Sequence, residues 1–202
     1  MKKLIFVSVF AVLISTLCFA AQGSGNGNGG ADKIGGYVGW PIGLSYSHEF
    51  NDLVELDLLV GYTGSLVWHR FDFQLGALFT VFDPVLPSLG NQKCPLSLGP
   101  VIGANISILS LPTTFGLISG TNDKYVTGGF SILLPLRWEM NFGNIPDFNL
   151  FFDFAPVGVA VNFYKDFVYD LSTNTTKTKV KPVASYAFRA GVGLRYRIPN
   201  KK

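Results

Sequence analysis

Few side chains in this sequence are suited to covalent or acid–base chemistry. Its 202 residues include 2 histidines, His48 and His69, and 2 cysteines, Cys18 and Cys94. His48 ends one alternating run and His69 begins another, so they fall at opposite ends of their strands. That spacing argues against a shared metal or a paired acid–base role. Cys94 has no histidine near it in sequence, and a lone thiol builds neither a sulfur-ligated metal site nor a disulfide framework. No nucleophile, base and orienting acid can be assembled from the other residues. Gly35-Gly36 precedes a strand rather than a helix, unlike a phosphate-binding loop. The expectation is a non-enzyme with no catalytic residue, no metal and no cofactor.

The charged residues are sorted more sharply than the reactive ones. Arg70, Arg137, Arg189, Arg195 and Arg197 all fall inside period-two runs, on the polar phase. Glu55, Asp57, Asp72, Glu139 and Asp153 share that phase. Lys33, Lys93, Lys124, Lys165, Lys177, Lys179, Lys181, Lys201 and Lys202 all lie outside the runs. A water-facing strand surface is usually decorated with lysine and glutamate. Arginine set against carboxylate on one buried phase instead predicts ion pairs in a confined interior, because the guanidinium fork grips a carboxylate with two bonds.

The elements that position these residues alternate with a period close to two and are rich in aromatic and β-branched side chains. Eight runs are predicted, over residues 34–50, 53–64, 66–82, 96–108, 111–119, 126–142, 148–163 and 184–198. In the seventh, Phe148, Leu150, Phe152 and Phe154 hold one phase and Val157, Val159, Val161 and Phe163 the other. That slip predicts a bulge at Ala155-Pro156. An even number of runs joined alternately by short and long connections predicts an all-β fold, an antiparallel up-and-down transmembrane β-barrel of eight strands. The long connections, Asp83 to Pro95 and the segment after Phe163, are expected on the outer side, opposite both termini. Tyr62, Trp138, Phe142, Phe148 and Tyr196 are expected to form an aromatic girdle on the termini side. A water-facing barrel or sandwich is the alternative.

The N-terminus supports export. Lys2 and Lys3 precede an apolar stretch, Leu4 to Leu17, and small residues follow at Ala20-Ala21, as in a secretory signal peptide. The expected organisation is a signal peptide over 1–20, a Gly/Asn-rich leader over 21–33, the barrel over 34–198 and a tail over 199–202. Of 16 Lys plus Arg and 13 Asp plus Glu, the signal would remove Lys2 and Lys3. The near-neutral remainder gives no reason to expect a nucleic acid partner.

In this arrangement of runs the chain resembles small outer-membrane barrels of the OmpA and OmpX type, and the eight-stranded surface barrels of spirochaetes. The resemblance is architectural and covers about Ile34 to Ile198. The chain departs from it at the end, which reads Tyr196-Arg197-Ile198-Pro199-Asn200-Lys201-Lys202 rather than closing on an aromatic residue. The resemblance implies a monomer in the bacterial outer membrane, in contact with outer-membrane lipid and the barrel-assembly machinery. It would present loops for adhesion to a host or extracellular protein. A porin-like channel and a lipid-modifying enzyme are the alternatives. The last hairpin, with Lys165, Phe167, Tyr169, Lys177, Lys179 and Lys181, is the candidate partner-binding surface.

Overall fold

The computed structural model describes residues 31–66, 68–110, 124–145, 147–170 and 175–198. The expected signal peptide, most of the leader, the fifth run and the tail lie outside the described residues. Among the described residues there are twelve strands: β1 (Asp32–Trp40), β2 (Ile42–Glu49), β3 (Val54–Gly64), β4 (Trp68–Phe82), β5 (Val85–Leu86), β6 (Gln92–Lys93), β7 (Leu96–Leu98), β8 (Val101–Ser110), β9 (Lys124–Asn141), β10 (Phe148–Asp170), β11 (Thr175–Tyr186) and β12 (Arg189–Ile198).

All ladders are antiparallel. β12 pairs with β1, β1 with β2, β2 with β3, and β3 with β4. β4 pairs with β8, β8 with β9, β9 with β10, and β10 with β12. The order of pairing therefore returns to its starting strand. β7 continues the ladder of β8 between β4 and β9, and β11 pairs along the far half of β10. β5 and β6 form a separate two-stranded sheet.

These pairings correct the expectation of eight uninterrupted runs making an up-and-down transmembrane β-barrel. The sheet has ten strands, with β11 at one end of its order. The run read as 34–50 is a hairpin, turned at Pro41. The fifth run contributes no described strand, and β8 pairs directly with β9. The assignment of sides holds for the hairpin after Phe163, whose Asp170 and Thr175 lie beyond the end of the sheet opposite Asp32 and Ile198, and fails for the other long connection. The Asp83 to Pro95 connection leaves the end of β4 that lies beside Asp32 and Ile198, so it stands with the described ends of the chain, not opposite them. Tyr62 lies at the far end with His69, away from Trp138, Phe148 and Tyr196, so the girdle divides between the two ends. Strand pairing alone places nothing across a bilayer. Among the described residues no helix is long and apolar enough to cross one.

Local chemistry explains the tight places. Asn51 Oδ1 accepts hydrogen bonds from the Leu53 and Val54 amides, both at 2.9 Å, which sets the brief β2–β3 turn. In β10 the pairing with β9 jumps from Phe154↔Leu136 to Val157↔Leu134, one extra residue on β10. This bulge turns the side chains over, so Phe154 and Val157 both face outward and are exposed.

In β1–β4, β8, β9, β12 and the first half of β10, one phase points inward and is largely buried, and the other points outward and is mostly apolar. Val38, Leu44, Val60, Phe73, Ile102, Phe130, Ile132 and Val159 are all exposed. Apolar surface this continuous is stable only where something apolar covers it. Inside, Tyr37 stacks on Phe151 with ring centroids 5.9 Å apart. Glycine makes the room: a Cβ on Gly193 would lie 2.2 Å from the Phe151 ring.

Two outcomes are expected. Gly193→Ala displaces Phe151 and costs about 1–3 kcal/mol in chemical denaturation, as other overpacked cores do. Phe130→Ser with Ile132→Ser lowers the binding of a fluorescent apolar-surface dye to the folded chain, since both side chains are exposed.

Candidate functional site

The inward phase of seven strands meets in one network. From β1, Lys33 Nζ lies 2.6 Å from Glu49 Oε1, 3.0 Å from Glu55 Oε2 and 2.8 Å from Glu139 Oε2. Arg195 on β12 donates to Ser47 Oγ at 2.7 Å, to Glu55 Oε1 at 2.9 Å and to Asn149 Oδ1 at 3.0 Å, and it pairs with Glu139. Arg137 on β9 reaches Asp57 Oδ1 at 2.7 Å and Asp153 Oδ2 at 2.8 Å. Arg189 donates to Asp57 Oδ2 and Gln74 Oε1, both at 3.0 Å, and pairs with Asp153. Phe151 lies between two cations, with the Arg137 and Arg195 guanidinium carbons 4.5 and 4.4 Å from its ring centre.

The network is charge-balanced. Lys33, Arg137, Arg189 and Arg195 face Glu55, Asp57, Glu139 and Asp153, and the four cations are essentially inaccessible. Burial opposes the Lys33 charge, but the Glu139 and Glu55 carboxylates more than offset it and raise its pKa above the ordinary 10.5. Burial likewise opposes the Glu55 carboxylate. Lys33, Arg195 and Arg137 overcome it and hold Glu55 well below its ordinary 4.5. Such an interior is full: the ion pairs and the Tyr37–Phe151 stack occupy the space a conduit would need.

Of the ten residues predicted for interior ion pairs, seven meet in this network: Glu55, Asp57, Arg137, Glu139, Asp153, Arg189 and Arg195. Arg70 and Asp72 form a separate pair at 2.7 Å toward the far end. Arg197 sits at the near rim, 3.3 Å from Glu49. Lys33 and Glu49 were missed. Lys33 fell in a segment read as leader, and its partners Glu55 and Glu139 lie 22 and 106 residues away. The predicted partner-binding hairpin exists as backbone, with Tyr164 opposite Lys181 and Asp170 opposite Thr175. The side chains of Lys165, Phe167, Tyr169, Lys177 and Lys179 lie outside the described residues, and Lys181 is exposed.

Above the network, at the end that carries Asp32 and Ile198, a cavity of about 320 Å³ opens. Its wall includes Glu49, Asp52, Glu55, Asp83, Lys93 and Arg197. The Asp83 to Pro95 connection forms one side. Hydrogen bonds from Cys94 N to Pro84 O and from Glu139 N to Pro95 O, both 2.9 Å, hold it there. Asn141 Nδ2 also donates to Lys93 O at 2.7 Å. Cys94 is free and buried. The histidines are engaged at opposite ends: His48 Nδ1 lies 2.8 Å from Asp32 Oδ1, and His69 Nδ1 lies 2.7 Å from the Tyr62 hydroxyl.

Breaking the network from one side is costly. Arg195→Met leaves Glu139 and Glu55 short of a cation and is expected to cost about 3–5 kcal/mol in denaturant midpoint experiments. Stability has a defined pH window. The lowered Glu55 pKa contributes stability that is complete above the ordinary carboxylate value and is lost as pH falls through the folded value. The raised Lys33 pKa contributes stability that is complete below 10.5 and is lost as pH rises through the folded value. Denaturation midpoints measured against pH should show both flanks, and Lys33→Met should remove the alkaline one.

The readings drawn from resemblance do not survive these findings. The eight-stranded surface barrel is contradicted by the ten-stranded sheet with its interior of buried salt bridges, and a porin-like channel by the same filled interior. The implied outer-membrane location goes with them, as do the partnerships with outer-membrane lipid, barrel-assembly machinery and a host protein, and the lipid-modifying alternative. The likeness to OmpA, OmpX and spirochaetal barrels has nothing further to rest on, since the chain matches no family model, no curated protein and no solved structure.

Proposed function

We propose that this chain is a non-enzymatic binding protein whose ligand seats in the polar vestibule above the interior ion-pair network. The observation that supports this reading is the vestibule itself, a cavity of about 320 Å³ lined by charged and amide side chains. A ligand entering there meets Glu55, which is itself paired with the buried Lys33. The side chains below are already committed to one another, so none is free to act as a base or a nucleophile. Both histidines are held by other partners outside the vestibule wall.

The walls are well suited to recognition. Strand ends fix Glu49, Glu55, Thr80 and Ser97, while the pinned connection adds Asp83 and Lys93. Polar groups of both signs around a rigid floor favour a small, charged ligand over an apolar one.

Chemical-shift mapping of the folded chain against small cationic, anionic and neutral organic probes tests the reading. At least one class should perturb Thr80, Ser97 and Asn141, and Thr80→Trp, which fills the vestibule, should abolish the effect. Perturbations confined to other surfaces would overturn the proposal.

A further inference from the structure

The connection between β4 and β7 is a small structure in its own right. β5 and β6 pair within it, Val85 opposite Lys93 and Leu86 opposite Gln92. A 3-10 turn over Pro87–Leu89 joins them, and Gly90 follows with φ 80°, a left-handed angle that favours glycine. Gly90 N donates to Pro87 O at 3.1 Å, and Cys94 N to Pro84 O at 2.9 Å. All these bonds lie inside the connection. It can therefore move as one body and keep its shape.

Its attachment to the rest of the chain is slight. From Val85 to Lys93 no residue is buried, so little apolar contact holds this flap down. Two short hydrogen bonds fasten it on the β9 side. Gly143 N donates to Leu89 O at 2.9 Å, and Asn141 Nδ2 donates to Lys93 O at 2.7 Å. Toward the β2–β3 turn the reach is electrostatic and long. Lys93 Nζ lies 3.5 Å from Asp52 Oδ2 in that turn, and 3.5 Å from Asp83 Oδ2 at the flap's own stem. Lys93 is 60% exposed, and an ion pair so placed is weak and screened by salt.

We infer that the flap is a lid on the vestibule, latched to Asp52 by Lys93 and hinged on its bonds to Asn141 and Gly143. The cavity lies between the flap's edge, Asn91 to Lys93, and the turn that carries Asp52. Releasing the latch lets that edge lift from the turn and widens the mouth. The interior pairs of Lys33, Arg137, Arg189 and Arg195 use no residue of the flap, so they stay closed beneath it. Because the latch is one exposed pair of opposite charges, ionic strength sets how often the lid stands open. Its value as a gate rests on the vestibule reading; the motion itself needs no ligand.

The test is a spin-label distance measurement across the mouth of the folded full chain. Labels go on Leu53→Cys and Ser88→Cys, both exposed positions, with Cys18→Ser and Cys94→Ala in the background. At low salt one short distance should dominate. Sodium chloride at about 0.5 M should enlarge a longer population, through screening of the pair. Lys93→Met should enlarge it about two- to fivefold at low salt, the range an exposed ion pair supplies. Lys93→Arg, which keeps the charge, should restore the short distance. Amide exchange in the unlabelled chain reports the hinge, and Gly143 should exchange as slowly in Lys93→Met as in the parent. A distribution unmoved by both salt and Lys93→Met would overturn the latch. Faster exchange at Gly143 in Lys93→Met would overturn the hinge, since the flap would then be leaving β9 as well. Neither failure touches the chemical-shift test of the vestibule, which stands or falls on its own probes.

Discussion

Everything in this structure depends on four buried cations being matched by four buried carboxylates. Each ion loses its hydration on entering the interior, and only close, multiply bonded partners offset that loss. The match is made across the sheet, not along the chain. Arg189 on β12 reaches Asp57 on β3 and Asp153 on β10, and Arg137 on β9 reaches the same two carboxylates. No single hairpin contains a balanced set, so the network forms only when distant strands take up their final register. Phe151 is part of the same design: the Arg137 and Arg195 guanidiniums each gain a favourable contact with its ring.

The balance also explains the outside. With polar groups spent inward, the outward phase is left to leucine, isoleucine, valine and phenylalanine, in the reverse of the usual order of a water-facing fold. The vestibule is the place where the two arrangements meet. Its floor belongs to the interior network, through Glu55 and Glu49, and its rim belongs to the exposed connection, through Asp83 and Lys93. On the proposed reading recognition and stability share Glu55, which belongs both to the vestibule wall and to the ion-pair network.

The sequence disclosed the phase of the charges because alternation is a local property: Arg137 and Glu139, or Arg195 and Arg197, declare a shared face at spacing two. The bulge near Pro156 was legible for the same reason, as a slip in that phase. Lys33 was not, because its neighbours are leader-like glycines and its three partners are assembled only by long-range pairing. The hairpin at Pro41 was hidden by its own regularity. Tyr37 and Gly39 before the turn and Gly43 and Ser45 after it keep odd numbers inward, so period two runs through without a break. The side of the Asp83 to Pro95 connection followed from that one miss, and the fifth run, counted as a strand where β8 pairs directly with β9, exchanged the ends back for the strands after it. The vestibule had no local signature at all, its wall being drawn from connections that only the ladder brings together.

That same unbroken phase bears on how the chain can change its length. Across Pro41 the count of residues is tied to which face each later side chain presents. A slip of the β1–β2 register by a single residue would carry one of the two strands onto the wrong surface, taking Lys33 out of its carboxylates or Ser47 away from Arg195. A residue added at the turn itself is harmless only where it is taken up as loop or bulge, so the tight turn at Pro41 holds the network's register from outside it.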